Sequence, residues 1–143
     1  MARSNTLETS WLKLIFQNIP IANIGDAIGL RGSSVAGDLY IALYTTDPTD
    51  TDSGVEATYT NYARAAVVRS SGGWTVSGNQ AQNAAAITYP TSGGVNNTIT
   101  HVGIRTSLTG GDLLYHAALS SSVSIVSGST PKFNANEITI TAN

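Results

Sequence analysis

Asp38-Leu39-Tyr40-Ile41-Ala42-Leu43-Tyr44-Thr45-Thr46-Asp47-Pro48 is the stretch on which the fold turns. Leu39, Ile41 and Leu43 alternate with Tyr40, Ala42 and Tyr44, and a period of two belongs to a half-buried β-strand. Thr46-Asp47-Pro48 supplies the turn chemistry that ends it. Downstream the same texture predicts strands at Arg64 to Arg69, Trp74 to Ser77, Ala84 to Tyr89, Thr98 to Thr106, Asp112 to Leu119, Ser122 to Val126 and Asn136 to Thr141. Between them fall Ser71-Gly72-Gly73, Ser92-Gly93-Gly94, Thr109-Gly110-Gly111 and Ser127-Gly128. Eight short strands with Gly-rich turns, and no helical period after Gly37, predict an all-β antiparallel β-sandwich of jelly-roll or Greek-key type.

Upstream the text changes. Asn5 and Glu8 have capping-box spacing, and Leu7, Trp11, Leu14 and Ile15 recur on one face, which predicts a short N-terminal helix of about three turns. From Ile19 to Gly37, Pro20, Gly25, Gly29, Gly32 and Gly37 interrupt isolated Ile and Leu residues, the pattern of an irregular extended arm. The expected organisation is therefore a helix and arm over 1–37 and a β-sandwich domain over 38–143.

The 143 residues weigh 14.8 kDa, with 41% hydrophobic and 11% charged residues and a formal net charge of -2. That length suits one core: surface scaling leaves ~7,000 Å² exposed of ~21,000 Å² in the extended chain. Ser and Thr, 34 residues together, take the place of the missing charge. With no Cys, a thiol nucleophile, a Cys-ligated metal and a disulfide scaffold are all excluded. Seven scattered Lys and Arg make no basic stripe, so no nucleic acid partner is expected. No stretch is long and apolar enough for a membrane span. Glu8 and Lys13 interrupt the first apolar run, so Met1 to Asn18 does not read as a signal peptide.

Candidate chemistry is thin. His101 and His116, the only imidazoles, sit on strands with apolar alternate positions, which leaves both free to face solvent. No H-x-H or H-x-x-x-H spacing joins them and no third ligand is indicated, so no metal and no cofactor are expected. In the acidic loop Asp47 to Gly54, Asp50 and Asp52 match the first two ligands of an EF-hand. The series then fails at Gly54 and Asn61, which leaves a solvated loop. Neither G-x-x-x-x-G-K-[ST] nor G-x-S-x-G is present, and hydroxyls without a positioned base do no acyl transfer, so no catalytic residues are assigned. Trp74 reads as a core residue. Trp11, Leu14 and Ile15 form an apolar stripe with two readings: contact with a partner, or packing within the chain.

Read together, the run from Leu39 to Pro48, Tyr62-Ala63-Arg64-Ala65-Ala66-Val67, Asn83-Ala84-Ala85-Ala86-Ile87-Thr88-Tyr89-Pro90, Thr100-His101-Val102-Gly103-Ile104, Gly110-Gly111-Asp112-Leu113-Leu114-Tyr115 and Ser127-Gly128-Ser129-Thr130-Pro131 resemble, in order, a family of small tailed-bacteriophage virion proteins. The resemblance covers about residues 38 to 141, and Ile21 to Gly32 recurs in some relatives. It implies a virion protein assembled in the host cytoplasm, without catalytic residues. Members are often labelled tail-fibre-like, and small sandwich proteins of this size serve as head cement or decoration.

The leading expectation is a non-enzymatic capsid cement that bridges the major capsid protein, as a dimer or trimer, with the helix and arm lying in the seams. Its alternative is a tail or tail-fibre module involved in host attachment, touching a glycan through aromatics such as Tyr40 or Tyr44.

Overall fold

The structure, a computed structural model, describes all 143 residues. It is mostly β with one short helix. Helix α1 (Asn5–Gln17) is followed by nine strands: β1 (Asp38–Tyr44), β2 (Ala65–Val68), β3 (Trp74–Ser77), β4 (Gln80–Asn83), β5 (Ile87–Thr88), β6 (Asn97–Arg105), β7 (Leu113–Ile125), β8 (Lys132–Phe133) and β9 (Thr139–Thr141). They form three open sheets, ordered β2-β1-β6-β7, β3-β4-β9 and β5-β8. The chain divides into two compact units. One comprises Met1–Asp38, Val67–Ile87 and Phe133–Asn143, the other Leu39–Ala66 and Thr88–Lys132.

In the first unit, the core gathers round Trp74. Phe16 packs on it with ring centroids 4.7 Å apart, and Leu12, Phe16, Trp74 and Ala81 are fully buried. Strands β3 and β4 form a hairpin closed by Gly78-Asn79, with Ser77 opposite Gln80 and Gly78 at φ 57, a conformation that suits Gly. Strand β4 was not expected, because Gln80-Ala81-Gln82-Asn83 lacks β-branched residues. Its signal was the two-residue Gly-Asn turn rather than its own propensity. At its end the buried Asn83 amide replaces a missing stretch of ladder. It donates 2.8 Å bonds to the carbonyls of Ala85 and Asn134 and accepts from Ile138 N–H at 2.9 Å.

In the second unit, β1 pairs antiparallel with β6, Tyr40 opposite Arg105 and Tyr44 opposite His101. Ile41 to Tyr44 are all buried, so β1 is covered on both faces and is not the half-buried strand that its alternation suggests. The residues after it fold back: Thr45 N–H bonds Val55 O, and Ala57 N–H bonds Leu43 O, each at 2.8 Å. Strands β6 and β7 pair antiparallel, with a register shift between Ile99↔Val123 and His101↔Ala118. Three residues of β7 are extra there, a bulge that lies between the two strands expected from sequence.

Candidate functional site

Two places gather the residues singled out above, one in each unit. The first is the helix with its arm. Ser4, not Asn5, is the N-cap, its hydroxyl accepting from Leu7 N–H at 3.3 Å. Leu12 and Phe16 form the buried face, and Thr9 on the same side donates to Gly78 O at 2.7 Å. The opposite face carries Leu7 and Trp11, 36% and 37% exposed, while Leu14 and Ile15 are half-buried. Trp11, Leu14 and Ile15 thus lie outside the fully buried core, which is built by the neighbouring pair that the sequence reading passed over.

The arm is ordered. Ile21 and Leu30 exchange both backbone bonds, at 2.9 and 3.0 Å, and close an eight-residue loop between them. Asp26 braces it from inside, accepting from Ile28 N–H at 2.9 Å, Gly29 N–H at 2.7 Å and Arg31 at 2.7 Å. These bonds, Arg31's first, hold the Asp26 carboxyl below its ordinary range. Gly29 has φ 76, and a Cβ there would sit 1.9 Å from Ile21 O, so only Gly closes this loop. Ile24, Ile28, Leu30 and Val35 are left facing solvent.

One side chain joins arm to helix. The Arg69 guanidinium donates to Ile15 O at 2.7 Å, Leu14 O at 2.8 Å, Ser33 Oγ at 2.9 Å and Ala36 O at 3.0 Å. The last turn of α1 has no basic residue of its own, so Arg69 supplies the charge that free helix carbonyls attract. Sequence reading missed this role because Arg69 lies 54 positions from Ile15.

The second place is the turn after β1. Arg105 is buried and grips Asp52 with both Nη atoms at 2.6 Å, Tyr44 Oη at 2.7 Å and Gly111 O at 2.7 Å. Its hydrogen bonds hold the Asp52 carboxyl below the usual range. Behind it, Arg64 forms a bidentate pair with Glu56, both bonds 2.8 Å, and Tyr62 Oη donates to Glu56 at 2.7 Å. Burial works to raise the Glu56 carboxyl, yet the Arg64 and Tyr62 hydrogen bonds outweigh it and the net direction is down. Tyr44 is thus committed inside the unit and offers no face to a glycan.

The two imidazoles converge on this turn. His116 Nε2 lies 3.1 Å from Asp50 Oδ1, His116 Nδ1 3.6 Å from Asp47 Oδ1, and His101 Nε2 3.9 Å from Asp47 Oδ2. The rings are largely covered, 19% and 26% exposed, while the acidic turn facing them is solvated as its sequence reads, Asp47 at 56% and Asp50 fully exposed. No group of three or more His, Asp and Glu is arranged to hold a metal ion. Thr100 Oγ1 lies 2.8 Å from His101 Nδ1 but donates to Thr45 O at 3.1 Å, so this hydroxyl is not set up as a nucleophile.

Residues 2–141 match the family described as podophage GP4 fiber I protein gp80. No curated protein matches the chain.

Proposed function

The chain belongs to the podophage GP4 fiber I protein gp80 family, and from that premise we propose a non-enzymatic fibre module of the phage particle. Membership makes it a phage virion protein, and the fibre description favours the tail-fibre alternative over head cement. The cement reading, with the major capsid protein as partner, has no observation of its own to carry it. The jelly-roll or Greek-key ordering of the sheets, and assembly as a trimer, belong to the same proposal.

The observation that carries the reading, beside the family, is the ordered apolar surface of helix and arm. Leu7, Trp11, Ile24, Ile28, Leu30 and Val35 are exposed on segments that hydrogen bonds already fix. A backbone already held in place has no loop-ordering cost on docking, so less of the gain from burying these side chains is lost. With several copies engaged together, modest single contacts suffice.

The test is location and copy number. Imaging of intact particles and quantification against the major capsid protein should place few copies at the tail. A near-stoichiometric ratio, with density spread over the head, would overturn the fibre reading. Turnover of a small molecule that disappears in His101→Ala and His116→Ala, with the fold intact, would overturn the non-enzymatic one.

A further inference from the structure

Seven residues other than glycine have a positive φ, and five of them, Asn18, Asn23, Asp52, Asn61 and Asn136, are of the types that tolerate the left-handed region. The two exceptions are β-branched, Thr49 at φ 56 and Val95 at φ 55. Thr49 has a local reason to be there. Its hydroxyl lies 2.9 Å from Thr51 Oγ1 and 3.0 Å from Ser53 Oγ, and accepts from Thr51 N–H at 3.3 Å, so the side chain ties its own turn together. Val95 has none. It is 62% exposed, its side chain makes no hydrogen bond, and Gly or Asn would hold the same backbone with less strain.

The strain is imposed from both sides. Before Val95, the buried Ser92 donates its N–H to Ser129 O at 2.8 Å and accepts from Gly128 N–H at 2.7 Å. Gly93 N–H donates to Thr60 O at 3.0 Å, and Gly94 O accepts from Thr60 N–H at 2.9 Å. After Val95, the Asn97 side-chain oxygen accepts from Thr58 N–H at 2.7 Å and Tyr59 N–H at 2.9 Å. An apolar side chain is therefore held out into solvent by a backbone that its neighbours fix, and strain that the surroundings maintain gathers where a residue is used.

The surroundings point to the partner. Asn97, Thr98 and Ile99 pair with Ile125, Ser124 and Val123, so the start of β6 and the end of β7 bring Val95 to the same end of the sheet as Val123 and Val126, each 46% exposed. Neither residues 88–104 nor residues 113–131 contain a Lys, Arg, Asp or Glu. In a symmetric assembly a residue near the axis faces its own copies, so a charge there would meet the same charge. A partner recognised by charge would need the opposite of this surface, whereas a second copy of the chain needs a surface without charge. We infer that Val95, with Val123 and Val126, is a contact between copies of this chain, and that its left-handed backbone serves to present an apolar side chain there. The contact does not depend on where in the particle the protein sits.

The test is Val95→Asn, which suits the left-handed backbone and removes the apolar branch. Two readouts should move in opposite directions. In chains diluted until they are monomeric, the unfolding equilibrium constant in urea should fall about fivefold, because strain is relieved. Association of the intact chain, followed by sedimentation equilibrium from about 1 μM to about 500 μM, should weaken about tenfold or more, because buried apolar area is lost. A substitution that acted only on the fold would not separate the two. An unsubstituted chain that stays monomeric over the whole range would overturn the inference. So would an assembly whose dissociation constant is the same in Val95→Asn, or a variant no more stable than its parent. Each of these results leaves the copy-number test of the fibre reading as it stands.

Discussion

The two units solve the problem of a small core in opposite ways. In the first, Leu12, Phe16 and Trp74 are fully buried, and the polar side chain buried there is the neutral amide of Asn83. In the second, the core is threaded with phenols and guanidinium groups. Tyr59 donates to Pro90 O, Tyr89 to Ile41 O and Tyr62 to Glu56, and Arg64 and Arg105 each hold a carboxylate. An apolar core fails when a shape is removed. A polar one fails when a partner is removed, because the group left behind stays buried and charged.

The sharpest way to break the contrast is Phe16→Ala. It leaves a cavity against Trp74 and should lower stability by about 3–5 kcal/mol, read from urea unfolding followed by tryptophan fluorescence. Next is Glu56→Gln, which leaves Arg64, buried to all but 7% of its side chain, without a counterion. Glu56 is itself partly open to water, so the expected loss is about 2 kcal/mol, below that of a fully buried pair. The same experiment on a neutral core position of the first unit would show no such dependence on charge.

Acid should weaken the second unit through its two arginine-bound carboxylates. The Glu56 and Asp52 carboxyls are both held below their ordinary range in the folded chain. Their stabilisation is complete above the unfolded carboxyl range and is lost as pH falls through the folded values, below about pH 4. The urea midpoint should therefore drop between pH 5 and pH 3, and the drop should shrink in Glu56→Gln. The smallest effect on stability belongs to Trp11→Ala. Trp11 is 37% exposed, so its truncation should cost about 1 kcal/mol of unfolding free energy, less than either change above, while reducing incorporation into particles measured by quantitative immunoblot.

Much of this was legible in the sequence wherever a local period carried it. Strands β1, β3 and β6 follow from alternation, and α1 from its cap and stripe. The phase of α1 was not. Leu7, Trp11, Leu14 and Ile15 make one apolar face and Leu12 and Phe16 another, and only the position of Trp74 decides which is buried. Strand β4 was hidden because pairing with β3 and β9, not propensity, makes it a strand. The meeting of His116 with Asp50 was hidden for a different reason. They lie 66 positions apart, and nothing in either neighbourhood signals the other.

Arg69 has one more consequence. Because a single guanidinium fastens the last turn of α1 to Ser33 and Ala36, whatever approaches the amino-terminal segment encounters a finished template and not a loose thread. On the fibre reading proposed above, recognition there becomes a matter of matching contours, with no folding step to complete first.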